Sequence, residues 1–339
     1  MRLDGTRGEI NLDKKDRKII EMLAKDGRVP LTQIAKKSML SKDSIAYRIK
    51  RLQERGVIKK FCTIVNYKSF GYTAYNVLLQ TREVTTETEE KFLKYLDKEP
   101  RIIDVIDYSD IIDFQIKILV KDIEEFDSII SWIKREFAEI IEHIITLHVV
   151  EEMSNRILPL EMGDAKIESK SGGVAKLDEK DIKIIKLLNE NCRLSSYDIA
   201  PKIGINADTV IYRIKKMVSS GVIKFTTVVN LSALGYSGNA LMLKLRTLDE
   251  KKEQEIEDHI KSNANLLTAE KTIGEWDLVL HFVTKDARDF HSIIKKIRME
   301  FGASILVYDT LMVYREYEFD YGSFLSEDET GKAAKGMKK

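Results

Sequence analysis

Cysteine, long apolar runs and net charge are all scarce in this chain of 339 residues. Cys62 and Cys192 are the only cysteines, too few for a disulfide framework or a four-cysteine zinc site. No stretch approaches the ~20 uninterrupted apolar residues of a membrane span, and Met1 to Arg7 lacks the apolar core of a secretory signal. The five histidines show no metal-ligand spacing. No nucleophile elbow, phosphate-cradling glycine loop or catalytic carboxylate pair stands out. These absences predict a soluble, cytoplasmic protein without metal or cofactor. With 43% hydrophobic residues the chain can bury real cores. Lys and Arg number 56 against 55 Asp and Glu, a net charge of +1 that taken whole argues against a nucleic-acid partner.

A repeat is the first positive feature. Leu12-Asp13-Lys14-Lys15-Asp16 returns as Leu177-Asp178-Glu179-Lys180-Asp181, and residues 12–59 match residues 177–224 at 21 of 48 positions. From Phe61 and Phe225 onward the offset is 164, and it holds through Asp113/Asp277 and Phe137/Phe301. The chain is one unit written twice. The pattern divides it into helix-turn-helix domains at 1–66 and 177–230 and sheet domains at 67–153 and 231–321. A polar, Gly/Ser-bearing flexible linker at 154–176 and a disordered tail at 322–339 complete the expectation.

Each unit opens with three short helices. Asp13 suits an N-cap, and Ser195 with Asp198 approaches a capping box. Ser41 and Asn206 suit the N-cap of the third helix, in which Ile45, Ile49 and Leu52 face inward. At 100° per residue the opposite face carries Asp43, Tyr47, Lys50 and Arg51. Gly56-Val57-Ile58 and Gly221-Val222-Ile223 end that helix and begin a strand, giving a helix-turn-helix with a small wing. The remainder of each unit reads βαββαβ, an antiparallel ferredoxin-like sheet with two helices on one face. The expected fold is therefore α+β, two tandem units of winged helix-turn-helix plus ferredoxin-like domain.

A helix of this kind fits the major groove of double-stranded DNA, with N-terminal residues near base edges and later cations on phosphates. The candidate DNA contacts are Ser41, Lys42, Ser44, Tyr47, Arg48, Lys50, Arg51, Lys59 and Lys60 in unit 1. In unit 2 they are Asn206, Thr209, Tyr212, Arg213, Lys215 and Lys216. For Arg48 and Arg213, beside the apolar face, a structural role weighs as much as base reading. For Lys59 and Lys60 an ordinary solvated pair weighs as much as phosphate contact.

The sequence resembles the Lrp/AsnC family of transcription regulators over nearly the whole chain. Leu12-Asp13-x-x-Asp16-x-x-Ile19, Leu40-Ser41, Tyr47-Arg48-Ile49-Lys50-Arg51-Leu52 and Gly56-Val57-Ile58 carry the likeness. So does Gly274-Glu275-Trp276-Asp277, similar to the family's turn between the middle strands. The resemblance implies DNA binding through the helical modules, self-association through the sheets, and regulation by a small ligand, typically an amino acid. It assigns Gly274, Glu275, Trp276 and Asp277 to that effector, although Trp276 is as well explained by packing and Asp277 by turn capping. Two units in one chain depart from the family's usual single unit. Siroheme decarboxylases look similar, so a tetrapyrrole enzyme on the same fold is the rival reading, and a ligand-sensing scaffold with weak DNA binding is a third.

The copies have diverged. Residues 1–60 carry a net +9, 61–153 a net −9, 177–224 a net +3 and 225–321 a net −4. Near-neutrality thus conceals basic readers joined to acidic sheet modules. Pro201 stands where unit 1 has Lys36, Met39 where unit 2 has Gly204, and Asp110-Ile111-Ile112-Asp113 where unit 2 has Gly274 to Asp277. The expectation is that module 1 supplies most DNA affinity and sheet 2 keeps the ligand-responsive turn. The two sheets pair within the chain as a pseudo-dimer.

Overall fold

A computed structural model describes residues 2–4, 10–82, 85–166, 177–318 and 322–325. Unit 1 opens with α1 (Lys14–Lys25), α2 (Leu31–Ser38) and α3 (Lys42–Glu54), followed by β1 (Ile58–Val65). Unit 2 repeats them as α6 (Glu179–Glu190), α7 (Ser196–Ile203), α8 (Ala207–Ser219) and β6 (Ile223–Val229). Local chemistry sets the starts. The side chains of Asp13, Ser41, Asp178, Ser195 and Asn206 each accept a hydrogen bond from the backbone three residues on. Asp178/Asp181 and Ser195/Asp198 form reciprocal capping boxes. Pro201 lies inside α7, yet α7 keeps the same 8 residues as α2, because the box secures its first turn. Gly204 and Met39 end these two helices in the same left-handed conformation, at φ 67° and 53°.

The wing strand of each module finds its partner in the other copy: β1 pairs antiparallel with β6, from Ile58↔Val229 to Val65↔Ile223. Each first helix then packs on the other copy's strand. Thr226 and Thr227 donate to the carbonyls of Ala24 and Leu23, and Thr63 donates to Leu188. Arg28 donates to the carbonyls of Cys192 and Leu194, and Arg193 to that of Gly27. At Gly27 a side chain would collide with the Thr226 carbonyl, so the helical modules meet at backbone distance.

The sheet of unit 1 contains β2 (Thr73–Thr81), β3 (Ile102–Tyr108), β4 (Phe114–Val120) and β5 (Ile141–Asn155), with α4 (Thr86–Leu96) and α5 (Ile123–Glu136). That of unit 2 contains β7 (Ser237–Leu245), β8 (Leu266–Ile273), β9 (Leu278–Thr284) and β10 (Ile305–Glu318), with α9 (Glu250–Ser262) and α10 (Ala287–Phe301). Both follow the expected βαββαβ order. The edges pair across the copies, β5 with β8 and β10 with β3, closing an eight-stranded barrel in the order β10-β3-β4-β2-β5-β8-β9-β7. The sheet pseudo-dimer is thus intramolecular. Closure pairs every edge of the two four-stranded sheets and removes their liability of open strands.

Strand alternation sorts the cores. Val77, Leu79, Ile116 and Ile118 face the helices of unit 1, and Leu241, Leu243, Leu280 and Phe282 those of unit 2. The opposite face of each strand lines the barrel interior, where Ala74, Leu78, Leu119, Ala240, Met242 and Val279 join the core under the helical modules. This interior also holds buried Asn76, Gln115, Glu270 and Glu316.

Two boundaries need correction. The expected linker does not begin at Ser154. β5 runs on to Asn155, and buried Arg156 donates to the carbonyls of Asn263 and Lys261, anchoring the segment on unit 2. Ile157, Leu158, Met162 and Ala165 are buried as well, which a flexible tether would not show. The expected disordered tail begins with packed residues, Phe324 edge-on to Tyr72 and Leu325 fully buried. Residues 167–176 and 326–339 lie outside the described residues. The N-terminal arm, assigned to the first helical domain, instead lies along the barrel, where Leu3 accepts from the Glu316 backbone.

Candidate nucleic-acid interface and regulatory turn

The two third helices present similar faces. Tyr47 on α3 and Tyr212 on α8 are each 66% exposed. Lys42 and Lys50 on α3, and Lys215 and Lys216 on α8, are also exposed, with Lys50 only loosely placed 3.8 Å from Glu54. Ser41 and Asn206 spend a side-chain oxygen on capping, accepting from Ser44 and Thr209, so they fix where the reading helix begins.

The arginines behave differently. Arg48 reaches Asp13 at 2.7 Å and Asp16 at 2.6 Å, and Arg51 reaches the other Asp16 oxygen at 2.8 Å. Arg213 repeats this with Asp178 and Asp181, each at 2.8 Å. The hydrogen bonds to Asp13 and Asp16 hold the Arg48 guanidinium further above its ordinary pKa. These arginines rivet the third helix to the first. Lys59 is also engaged, 3.1 Å from Asp4, and Lys60 is half-buried beside it on β1.

Pairing changes the weight of the charge asymmetry. Of the cations in residues 1–60, Arg2 is neutralised outside the segment by Glu316, Arg28 is taken up by carbonyls at the module contact, and Lys18 and Lys25 share Glu21. Lys36 and Lys37 on α2 are exposed cations that the helical-face reading of α3 alone passes over. A first helix that crosses the DNA backbone would bring them to phosphates. Their counterparts are Pro201 and exposed Lys202. Unit 1 remains the more basic reader, by less than net charge indicates.

In the sheet of unit 2, the Gly274–Asp277 turn joins β8 to β9 and packs against β5. A Cβ on Gly274, at φ 151°, would sit 2.7 Å from the Thr146 carbonyl oxygen. Trp276 is 8% exposed and belongs to the shared core, while Glu275 is exposed. Asp277 accepts from the Leu245 backbone at 2.7 Å and from Lys244 at 2.9 Å. Asp113 makes the same backbone contact in unit 1, accepting from Thr81 at 2.6 Å. The aspartate therefore braces the turn in both copies. Beside Asp277 opens a cleft of about 320 Å³, bordered by Lys244, Arg246, Glu253 and Lys271.

Two reader helices on modules joined by a shared ribbon, above paired ferredoxin-like sheets, define a winged helix-turn-helix DNA-binding protein. A winged helix-turn-helix DNA-binding family matches residues 12–59 and 177–224. Over 124 residues the chain is 39% identical to the HTH-type transcriptional regulator FL11 of Pyrococcus furiosus, covering 36% of this chain and 80% of that protein. It is 32% identical over 122 residues to the transcriptional regulator AzlB of Bacillus subtilis, covering 36% of this chain and 78% of that protein. The chain belongs to the Lrp/AsnC family of transcriptional regulators, with the unit duplicated. Its fold is also similar to that of the siroheme decarboxylase NirDL, with a TM-score of 0.63 at 14% identity over 93% of this chain and 96% of that one. Among the described residues no cluster suits a metal ion, and no helix is long and apolar enough to cross a membrane.

Proposed function

We propose that the chain is a sequence-specific DNA-binding transcription regulator that holds two unequal readers at a fixed spacing. The observation that carries this reading is the pair of exposed α3 and α8 faces on modules locked together through β1 and β6. Lys42, Tyr47 and Lys50, with Tyr212, Lys215 and Lys216, contact DNA, and Arg48, Arg51 and Arg213 orient the helices that carry them. The readers differ in sequence, so they select an asymmetric site, since operator symmetry mirrors protein symmetry. The cleft beside Asp277 suits an amino-acid effector. The apolar outer face of β10, with Leu306, Met312 and Tyr314 exposed, suits self-association.

Binding of the full chain to DNA selected from random sequence tests this. Lys50→Ala and Lys215→Ala should each reduce the log–log salt slope by about 0.9, with the larger affinity loss at Lys50. Unchanged slopes, or selection of a perfect palindrome, would sink the proposal. The tetrapyrrole reading rests on likeness of fold to NirDL. The interior cavities here are about 150 and 60 Å³, below the ~300 Å³ at which drug-sized sites begin. An unchanged visible spectrum on mixing with siroheme is the expected result.

A further inference from the structure

On the outer face of unit 2, α10 and the first half of β10 leave between them an open groove of about 790 Å³. That volume falls in the ~300–1,000 Å³ range of small-molecule sites. The groove shares no lining residue with the cleft beside Asp277. Phe290 and Ile294 of α10 line one wall, and Ile305, Leu306 and Tyr308 of β10 the other. Leu306 is 52% exposed, and Met299 at the rim is 78% exposed. Apolar surface gathered in a concave face costs free energy for as long as water covers it.

The charge on this lining has one sign. Lys295 and Arg298 are its cations, with His291 beside them, and no carboxylate lines it. The three stand at i, i+4 and i+7 on α10, so they share one helical face. Arg298 lies 5.0 Å from the centre of the Tyr308 ring and donates to its hydroxyl at 3.0 Å, which fixes a cation against the apolar wall. The nearby acids are engaged or turned away. At 100° per residue Asp289 and Glu300 fall on the opposite face of α10, and Glu300 lies 3.0 Å from His259. Asp286 caps α10, accepting from the backbones of Arg288 and Asp289. Asp309 pairs in register with Met242, whose side chain belongs to the barrel interior, so it faces through β10 away from the groove.

Unit 1 supplies an internal comparison. With the offset of 164, His291, Lys295 and Leu306 correspond to Asp127, Ser131 and Glu142, and Arg298 to Lys134. The corresponding groove is about 380 Å³, and in it Glu142 accompanies Lys134. One copy thus keeps balanced charge on an open face. The other has replaced both acids, gained a cation and extended its apolar wall. A second chain docking groove to groove would bring like cations together, which disfavours it as the occupant.

We propose that this groove binds an amphipathic carboxylate, a compact molecule with one anionic head and a hydrocarbon body. His291, Lys295 and Arg298 receive the head, and Phe290, Leu306 and Tyr308 take the body. The site differs from the cleft beside Asp277 in place and in ligand class. It meets the face suited to self-association at Leu306 and Tyr308, while Met312 and Tyr314 lie outside it.

Calorimetric titration of the full chain with decanoate below its micelle concentration, against decyltrimethylammonium, tests the site without DNA. Saturable 1:1 binding of decanoate is expected, at least about tenfold tighter than the cation, a difference of about 1.4 kcal/mol. Added salt should weaken it. A variant combining His291→Asp, Lys295→Ser and Leu306→Glu carries the unit 1 residues at exposed positions. Checked for fold by circular dichroism, it should lose at least about tenfold in decanoate affinity. Equal binding of the two tails, no saturable binding of decanoate, or binding that survives the triple variant unchanged overturns the proposal. So does a parent chain that sediments as a dimer, takes up no decanoate and is dissociated by the triple variant, because the groove would then belong to a second copy.

Discussion

Asp104 should make the unliganded protein less stable as pH rises, and Asp104→Asn should remove that dependence. The group ionises near 4 in the unfolded chain, and burial beside Glu316 raises it to about 8 in the fold. A raised carboxyl contributes stability fully present below pH ~4 and lost as pH climbs through about 8, because the folded state must take up a proton that the unfolded chain has released. Between pH 5 and pH 7 the loss is on the order of 3 kcal/mol in all. Other groups titrate in this window. Asp107, raised by burial to about 7, adds a loss of the same sign, and His281, lowered by burial to about 4, adds a gain as pH rises through its unfolded value. Glu316, drawn down to about 2 by Arg2 against the effect of burial, is ionised in both states above pH 5 and gives no slope. All three remain in the variant, so the difference between the two proteins isolates Asp104. Urea unfolding followed by tryptophan fluorescence at pH 5, 6, 7 and 8 measures that difference. The Asn variant should gain on the parent by about 3 kcal/mol from pH 5 to 7 and level off above 8. Parallel stability curves would refute the placement of a protonated carboxyl at this site.

Two further outcomes follow from the helical modules. Met39→Gly should stabilise the chain by about 1 kcal/mol, because a side chain is held in the left-handed region that Gly204 occupies without penalty; a lower calorimetric midpoint would count against it. Arg48→Ala should cost about 2 kcal/mol in chemical denaturation by withdrawing a charged partner from buried Asp16, with Arg51 retaining part of the contact. If stability were unchanged and only DNA affinity fell, Arg48 would be a reading residue.

The duplication carried most of what could be read from the sequence. Its offset of 164 matches the pairing of Asp104↔Lys117 with Thr268↔His281 strand for strand. Helix starts were legible because caps are local, as Ser41 and Asn206 illustrate. Pairing partners were not. An edge such as β1 has the same alternation whether it meets a hairpin or β6. Segment charge totals miss pairing between segments for a related reason: Arg2 and Glu316 are 314 residues apart, so their neutralisation is invisible along the chain. The interior cluster did leave a trace, with Asn76, Lys117 and His281 each set between apolar neighbours in their strands. Such a residue on a strand buried on both faces marks a position where packing alone does not decide the side chain.

Barrel closure constrains what the two units can do next. Because β5–β8 and β10–β3 consume the barrel's sheet edges, further copies cannot add to the barrel by strand pairing and would meet its outer faces. The exposed β10 side chains Leu306, Tyr308, Met312 and Tyr314 form such a face, with Arg298 lying over the Tyr308 ring. Within the chain, separation of the readers would break β1–β6 and the arginine contacts at Cys192 and Gly27 together. Any ligand that biases the readers would therefore have to act by small changes in the angle or rigidity of the ribbon, and only in proportion to its difference in affinity for the two arrangements.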